Sequence, residues 1–296
     1  QTAGAVVNVY GARVEKQPRN PFMDDPFFRR FFGDRGFGVP QERVQRSLGS
    51  GVVVDASGLV VTNNHVIEGM SEVKVAFADK REMEATILLR DPRTDLAILK
   101  LKGAKDLSPI ELGDSDRVEI GDLVLAIGNP FGVGQTVTQG IVSALARTQI
   151  GVGDAQSFIQ TDASINIGNS GGPLLDARGE LVGITTAVRK DGQGLAFAVP
   201  AELVVKYLDE VSAHGRLRRP RLGLRVDDLG PDEHPLRARG VKVVRVEPDG
   251  PAATAGVKVD DIVLSACKRP LLRVSDLAYA ALMCGLDAPW DLELLR

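Results

Sequence analysis

From residue 49 to residue 200 the chain is a succession of short apolar runs, rich in β-branched residues and separated by turn-forming dipeptides. The first half holds "GSGVVVDASGLVVTNNHV", "SEVKVAFADKREMEATILLRD", "TDLAILKL" and "DLVLAIGNPFG". The second holds "TVTQGIVSALAR", "SFIQTD", "GELVGITTAV" and "GLAFAVP", and "SG", "AD", "GN" and "DG" punctuate the whole. Many short strands at such spacing predict an all-β barrel or sandwich. Upstream, "AVVNVYGARV" predicts an entering strand within residues 1–14. After the last strand the period changes: apolar positions 203, 204, 207, 208 and 211 predict a helix over "AELVVKYLDEV" (201–211).

Two stretches break the pattern. Residues 15–47 form a polar and aromatic insertion with Pro18, Pro21, Pro26 and Pro40 and six of the ten phenylalanines: Phe22, Phe27, Phe28, Phe31, Phe32 and Phe37. A loop this long is functional or disordered, and disorder alone predicts few aromatics. Two readings stay open, an element that docks on another subunit and a cover for the chain's own core. The second break, "SAHGRLRRPRLG" (212–223), is basic with Gly and Pro and reads as a linker. Beyond it "GVKVVRV" and "DDIVLSA" predict strands and "VSDLAYAALMCG" a helix, a second and smaller domain. The expected division is residues 1–212, a linker over 213–220, and residues 221–296.

Composition adds mainly exclusions. The 296 residues suffice for about two domains. With 44% apolar and 25% charged residues they resemble ordinary globular chains. A formal net charge of −3 gives no global attraction to nucleic acid or anionic lipid. No apolar run is long enough to span a bilayer, and no membrane anchor or signal-peptide pattern is visible. Cys267 and Cys284 have neither metal spacing nor the look of a disulfide framework, and the expectation is two reduced thiols.

The candidate chemistry begins at "NIGNSGGPLL" (166–175). A loop serine is usually a turn residue. Ser170 becomes a nucleophile only if a base can take its proton. The chain has three histidines. His214 falls in the linker and His234 in an acidic, Pro-flanked loop, whereas His65 ends a predicted strand in the same β domain as Ser170. A third group must fix the imidazole tautomer. Asp95, in "RTDLAILKL", stands before a strongly apolar run that would bury it, and a buried carboxylate needs partners; by composition alone Asp91 or Asp55 would serve as well. The glycines around Ser170 could then aim the N–H groups of Gly168 and Ser170 at one oxygen, while Gly171 and Gly172 keep bulk away from the nucleophile. The order His65, Asp95, Ser170 is that of the chymotrypsin-like arrangement.

Together "TNNHVI", "RTDLAILK" and "GNSGGPL" resemble the three catalytic blocks of the HtrA (Deg) serine proteases, and the resemblance covers nearly the whole chain. "RLGL" (221–224) and "VEPDGPAATAGVKVDDIVLSACKRPLLRVSDL" are similar to a PDZ domain of that family. The resemblance implies a mostly β fold, a trypsin-like double barrel followed by a small α+β PDZ domain. It implies an ATP-independent endoprotease acting on unfolded or misfolded polypeptides in the bacterial periplasm or cell envelope, as trimers or larger assemblies, without metal or organic cofactor. A holdase-type chaperone or scaffold with secondary proteolysis is the alternative. The family's long regulatory loop matches the Phe-rich insertion, which favours docking.

The resemblance also places a carboxylate-binding loop at Leu222, Gly223 and Leu224, accepting C-terminal peptides as an added strand. Ser164, six residues before the nucleophile, would lie at the base of the specificity pocket; with no carboxylate there, valine or alanine is expected before the cleaved bond. The chain departs from the family pattern at Ile167, beside the oxyanion turn, in the short loop 188–200, in the missing aromatic of "RLGL", and in stopping at "WDLELLR", where one further PDZ strand is expected.

Overall fold

The computed structural model describes residues 2–15, 43–128, 134–147, 157–166, 168–188, 195–230 and 239–296. The phenylalanines of the insertion, Ile167, His234 and residues 189–194 of the 188–200 loop lie outside the described residues.

The period-2 pattern resolves into two closed antiparallel barrels of six strands each. The first comprises β1 (Val6–Glu15), β2 (Arg43–Asp55), β3 (Leu59–Asn63), β4 (Glu72–Ala76), β5 (Glu82–Asp91) and β6 (Leu96–Leu101), in the order β1-β2-β3-β6-β5-β4. In β4, Val73 and Val75 point into the barrel while Glu72 and Lys74 face solvent, the alternation a half-buried strand requires. The second comprises β7 (Leu123–Gly128), β8 (Thr136–Arg147), β9 (Phe158–Thr161), β10 (Pro173–Leu175), β11 (Leu181–Val188) and β12 (Ala196–Pro200). Closure leaves neither barrel an open edge.

Helix α1 (Ala201–His214) follows Pro200 directly and ends at Gly215, whose φ of 65° is the left-handed cap glycine favours. Its face Leu203, Val204 and Tyr207 is buried in the main core. Tyr207 donates to the buried carboxylate of Asp91, which also accepts from Thr94 Oγ1 (2.6 Å) and Arg219 (2.5 Å). Burial pushes the Asp91 carboxyl up, but those three hydrogen bonds outweigh it and hold it below the usual carboxylate range.

The remaining residues build a separate sheet from β13 (Leu224–Asp228), β14 (Val241–Val246), β15 (Ile262–Ala266) and β16 (Arg269–Pro270), with β17 (Leu292–Leu295) paired to β15. The short helix α2 (Pro251–Thr254) and the longer α3 (Val274–Cys284) complete it. Val226, Val241, Val243, Val263, Leu271 and Leu277 form its core. This unit docks on α1: Tyr279 donates to Glu202, and Arg269 bridges Glu202 (2.8 Å) and Asp116 (2.9 Å). Burial, with Asp116 beside it, raises the Glu202 carboxyl despite Arg269 and Tyr279.

One expectation is overturned here. Cys267 and Cys284 are joined in a disulfide. Cys267 lies in the β15–β16 turn and Cys284 ends α3, and folding brings their Cα atoms to 6.1 Å, within bridging range. Linear spacing carries no trace of that approach.

Candidate active site

β3 and β6 are paired with Asn63 opposite Leu96, so the turn after one strand and the turn before the other emerge together. His65 lies on the first turn and Asp95 on the second. The backbone oxygen of Asp95 accepts from Asn64 N–H and Asn63 Nδ2, each at 3.0 Å. This lock holds Asp95 at φ 55°, a left-handed conformation that aspartate tolerates better than most residues. Its carboxylate then turns inward, 3% exposed. Oδ1 accepts the backbone N–H of His65 at 2.9 Å, and Oδ2 faces His65 Nδ1 at 2.7 Å. A ring that donates through Nδ1 keeps Nε2 free as an acceptor, on a side chain that is 45% exposed.

Ser170 comes from the second barrel, on the turn before β10. Its hydroxyl donates to the backbone oxygen of Thr186 at 3.1 Å, and among the described residues it makes no hydrogen bond to His65. Substrate-free sites often close such a bond only when occupied. Thr186, on β11, joins the two halves: its own hydroxyl donates to Asp95 Oδ2 at 2.5 Å. The sequence reading missed this residue. The available signal was a pair of threonines inside the apolar run "GITTAV", since buried hydroxyls need partners.

The turn around Ser170 is fixed by its carbonyls. The oxygen of Asn169 accepts from Thr185 Oγ1 (2.7 Å) and Gly172 N–H (2.9 Å). Because a peptide unit is planar and trans, the Ser170 N–H points the opposite way. Gly168 has φ 101°, and its oxygen accepts from Ser50 Oγ at 2.6 Å. Among the described residues, the N–H groups of Gly168 and Ser170 donate to nothing. Gly171 and Gly172 answer a tighter need than clearance for the nucleophile. A Cβ on Gly171 would meet Ser50 O at 2.1 Å, and one on Gly172 would meet Ile127 O at 2.1 Å. At Gly171 the first barrel, and at Gly172 the neighbouring strand β7 of the second barrel, approaches too closely for any side chain.

The alternatives fall elsewhere. Asp91 belongs to the Tyr207–Arg219 cluster, and exposed Asp55 caps its own turn through Ser57 N–H (2.6 Å). His214 ends α1 close to Glu210 and Asp287. Arg218 already bonds both carboxylates, so nothing there calls for a metal. Ser164 is exposed, with its backbone oxygen accepting from Thr138 Oγ1 at 2.8 Å. Leu222, Gly223 and Leu224 line one end of a groove of about 780 Å³ between β13 and α3, opposite Val274, Leu277 and Ala281. β13 is an edge strand, paired on one side only by β14. The oxygen of Gly223, at φ 68°, is held by Glu247 N–H (2.7 Å).

Paired six-stranded barrels with such a cluster at their junction are the architecture of trypsin-like serine peptidases, and residues 49–184 match the trypsin-like peptidase domain family. The chain is 38% identical over 309 residues to the putative serine protease HhoA of Synechocystis sp., covering 99% of this chain and 78% of that protein. It is 40% identical over 288 residues to the periplasmic serine endoprotease DegP of Escherichia coli, covering 95% of this chain and 60% of that protein. The solved HtrA-type protease AlgW with a decapeptide superposes with a TM-score of 0.74 at 42% identity, covering 99% of this chain and 92% of that one. The chain therefore belongs to the HtrA family. It spans less than two thirds of the length of several curated relatives it matches, DegP among them.

Proposed function

We propose that the chain is a serine endopeptidase with Ser170 as nucleophile, His65 as general base and acid, and Asp95 as the orienting carboxylate. The observation that carries this is the line from His65 Nδ1 to the buried Asp95 Oδ2 at 2.7 Å, continued by the hydroxyl of Thr186 at 2.5 Å, a residue whose backbone carbonyl holds Ser170. Ser170 Oγ attacks the scissile carbonyl carbon while its proton passes to His65 Nε2. Asp95 steadies the imidazolium that forms. The amide hydrogens of Gly168 and Ser170 receive the oxyanion, an interaction worth about 3 kcal/mol per donor. The tetrahedral adduct then collapses to an acyl-enzyme, the leaving amine takes the proton from His65, and water repeats the sequence.

The substrate class is unfolded or misfolded polypeptide, cut after small aliphatic residues with Ser164 near the pocket base, in the bacterial envelope where relatives such as DegP are named periplasmic. The unit after residue 220 is a PDZ domain whose groove takes C-terminal peptides on the N–H groups of Leu222, Gly223 and Leu224 and regulates the protease unit. The working form is a homotrimer or a larger assembly. Ser170→Ala should abolish casein degradation, with a circular-dichroism spectrum and melting curve matching the parent's. Undiminished degradation would remove Ser170 from the mechanism. Degradation lost but aggregation of unfolded protein still suppressed would add a holdase role beside proteolysis.

A further inference from the structure

Resting on that reading of the site, we infer that Ser50 is a positioning residue for the oxyanion turn, acting through Gly168 and touching no reacting atom. Ser50 lies on β2 of the first barrel and is fully buried. All three of its hydrogen-bonding groups are engaged at the junction. Its N–H donates to the oxygen of Ser170 (2.8 Å), its hydroxyl donates to the oxygen of Gly168 (2.6 Å), and its own oxygen accepts from Thr62 Oγ1 (2.7 Å). Thr62 precedes the Asn63–Asn64–His65 turn, so one strand residue braces both the histidine turn and the serine turn.

The hydroxyl has a specific consequence. The peptide unit between Gly168 and Asn169 is pinned at both ends, its oxygen by Ser50 and its N–H by Asn166 O at 3.0 Å. The next unit is pinned by Thr185 and Gly172 through the Asn169 oxygen. The Ser170 N–H lies in the second of these units and the Gly168 N–H in the unit before the first, so the Gly168–Asn169 plane joins the two donors and its orientation sets how they aim relative to each other; the first barrel anchors that plane and the second barrel anchors the Asn169 unit. The bond from Ser50 is the anchor from the first. Glycine at 168 tolerates rotation about its own backbone that other residues resist, so without the hydroxyl this plane keeps only the Asn166 bond and is the freer of the two to turn. Its carbonyl, buried and deprived of its donor, would seek another.

The test compares a reagent that uses the oxyanion hole with one that does not. A fluorophosphonate places its P=O where the substrate oxyanion would sit, whereas diethyl pyrocarbonate acylates His65 directly. In Ser50→Ala, the fluorophosphonate labelling rate and kcat for a fluorogenic peptide should fall about 10- to 100-fold, less than the 10²–10³ for loss of a direct donor. KM and the rate of His65 modification, followed by mass spectrometry, should stay within about twofold, because only charge developing in the transition state loses support. Labelling and kcat within twofold of the parent would overturn the inference. A fall in fluorophosphonate labelling that comes with loss of the melting transition, in Ser50→Ala and in the near-isosteric Ser50→Cys, would assign Ser50 to folding alone and overturn it as well. If the parent chain itself takes no label, the catalytic reading fails first and this inference with it.

Discussion

Among the described residues, the proposed catalytic junction and the proposed peptide groove are built in opposite ways. The cleft between the barrels is assembled from segments far apart in sequence, with Asp95 and Ser50 buried and every described polar atom of the Asp95 carboxylate engaged. The groove between β13 and α3 is open, with an apolar wall of Leu222, Leu224, Val274 and Leu277 beside charged residues such as Arg225 and Asp228, made from one unpaired strand edge and the facing side of one helix. The cleft is over-determined, as a site must be to hold reacting groups within tenths of an ångström. The groove leaves one edge of β13 without a strand partner among the described residues, the edge on which the proposed peptide would pair. The contrast predicts that single changes in the cleft cost rate steeply, while changes in the groove cost affinity modestly.

The steepest effect should follow Asp95→Asn. An amide in place of the carboxylate reverses the tautomer demanded of His65, and kcat should fall about 10⁴-fold. Steady-state cleavage of a fluorogenic peptide measures it, and a loss under tenfold would remove Asp95 from the orienting role.

Asp91, four residues earlier on the same turn, separates stability from chemistry. Asp91→Ala strands the buried hydroxyls of Tyr207 and Thr94 and releases the exposed Arg219, and should cost about 1–3 kcal/mol of unfolding free energy in urea titration. The pH dependence has a definite sign. Because the folded carboxyl sits below its ordinary range, its contribution is present above the unfolded pKa and is lost as pH falls through the lowered folded value. The parent should therefore lose stability on acidification more steeply than Asp91→Ala.

In the groove, Gly223→Val imposes a β-branched side chain at φ 68°, with its Cβ 3.2 Å from Gly250 Cα. Strain of this kind costs about 1–3 kcal/mol. Affinity for a fluorescent peptide with an apolar C-terminus should drop about tenfold by anisotropy. Unchanged affinity would place peptide binding elsewhere than this loop.

How far these regions could be read from sequence follows from the same contrast. The barrels were legible because alternation writes itself into β4 and β5 residue by residue, and the α1 face because Leu203, Val204 and Tyr207 keep the helical period. His65, Asp95 and Ser170 stood out because each sits in a local pattern. Asp91 did not separate from Asp95, since what divides them is the company of Tyr207 and Arg219, more than a hundred residues away. Thr186 and Ser50 were illegible for a related reason: a lone hydroxyl in an apolar strand names its need for a partner but not the partner. The Cys267–Cys284 bridge depends on where the β15–β16 turn meets the end of α3, a tertiary fact that spacing alone does not encode.

The most direct test of the central claim is peptide mapping of the chain after reaction with a fluorophosphonate. The account predicts a single adduct on Ser170, absent after prior modification of His65 and absent in Ser170→Ala. An adduct on another serine, or labelling that persists undiminished when His65 is blocked, would contradict it.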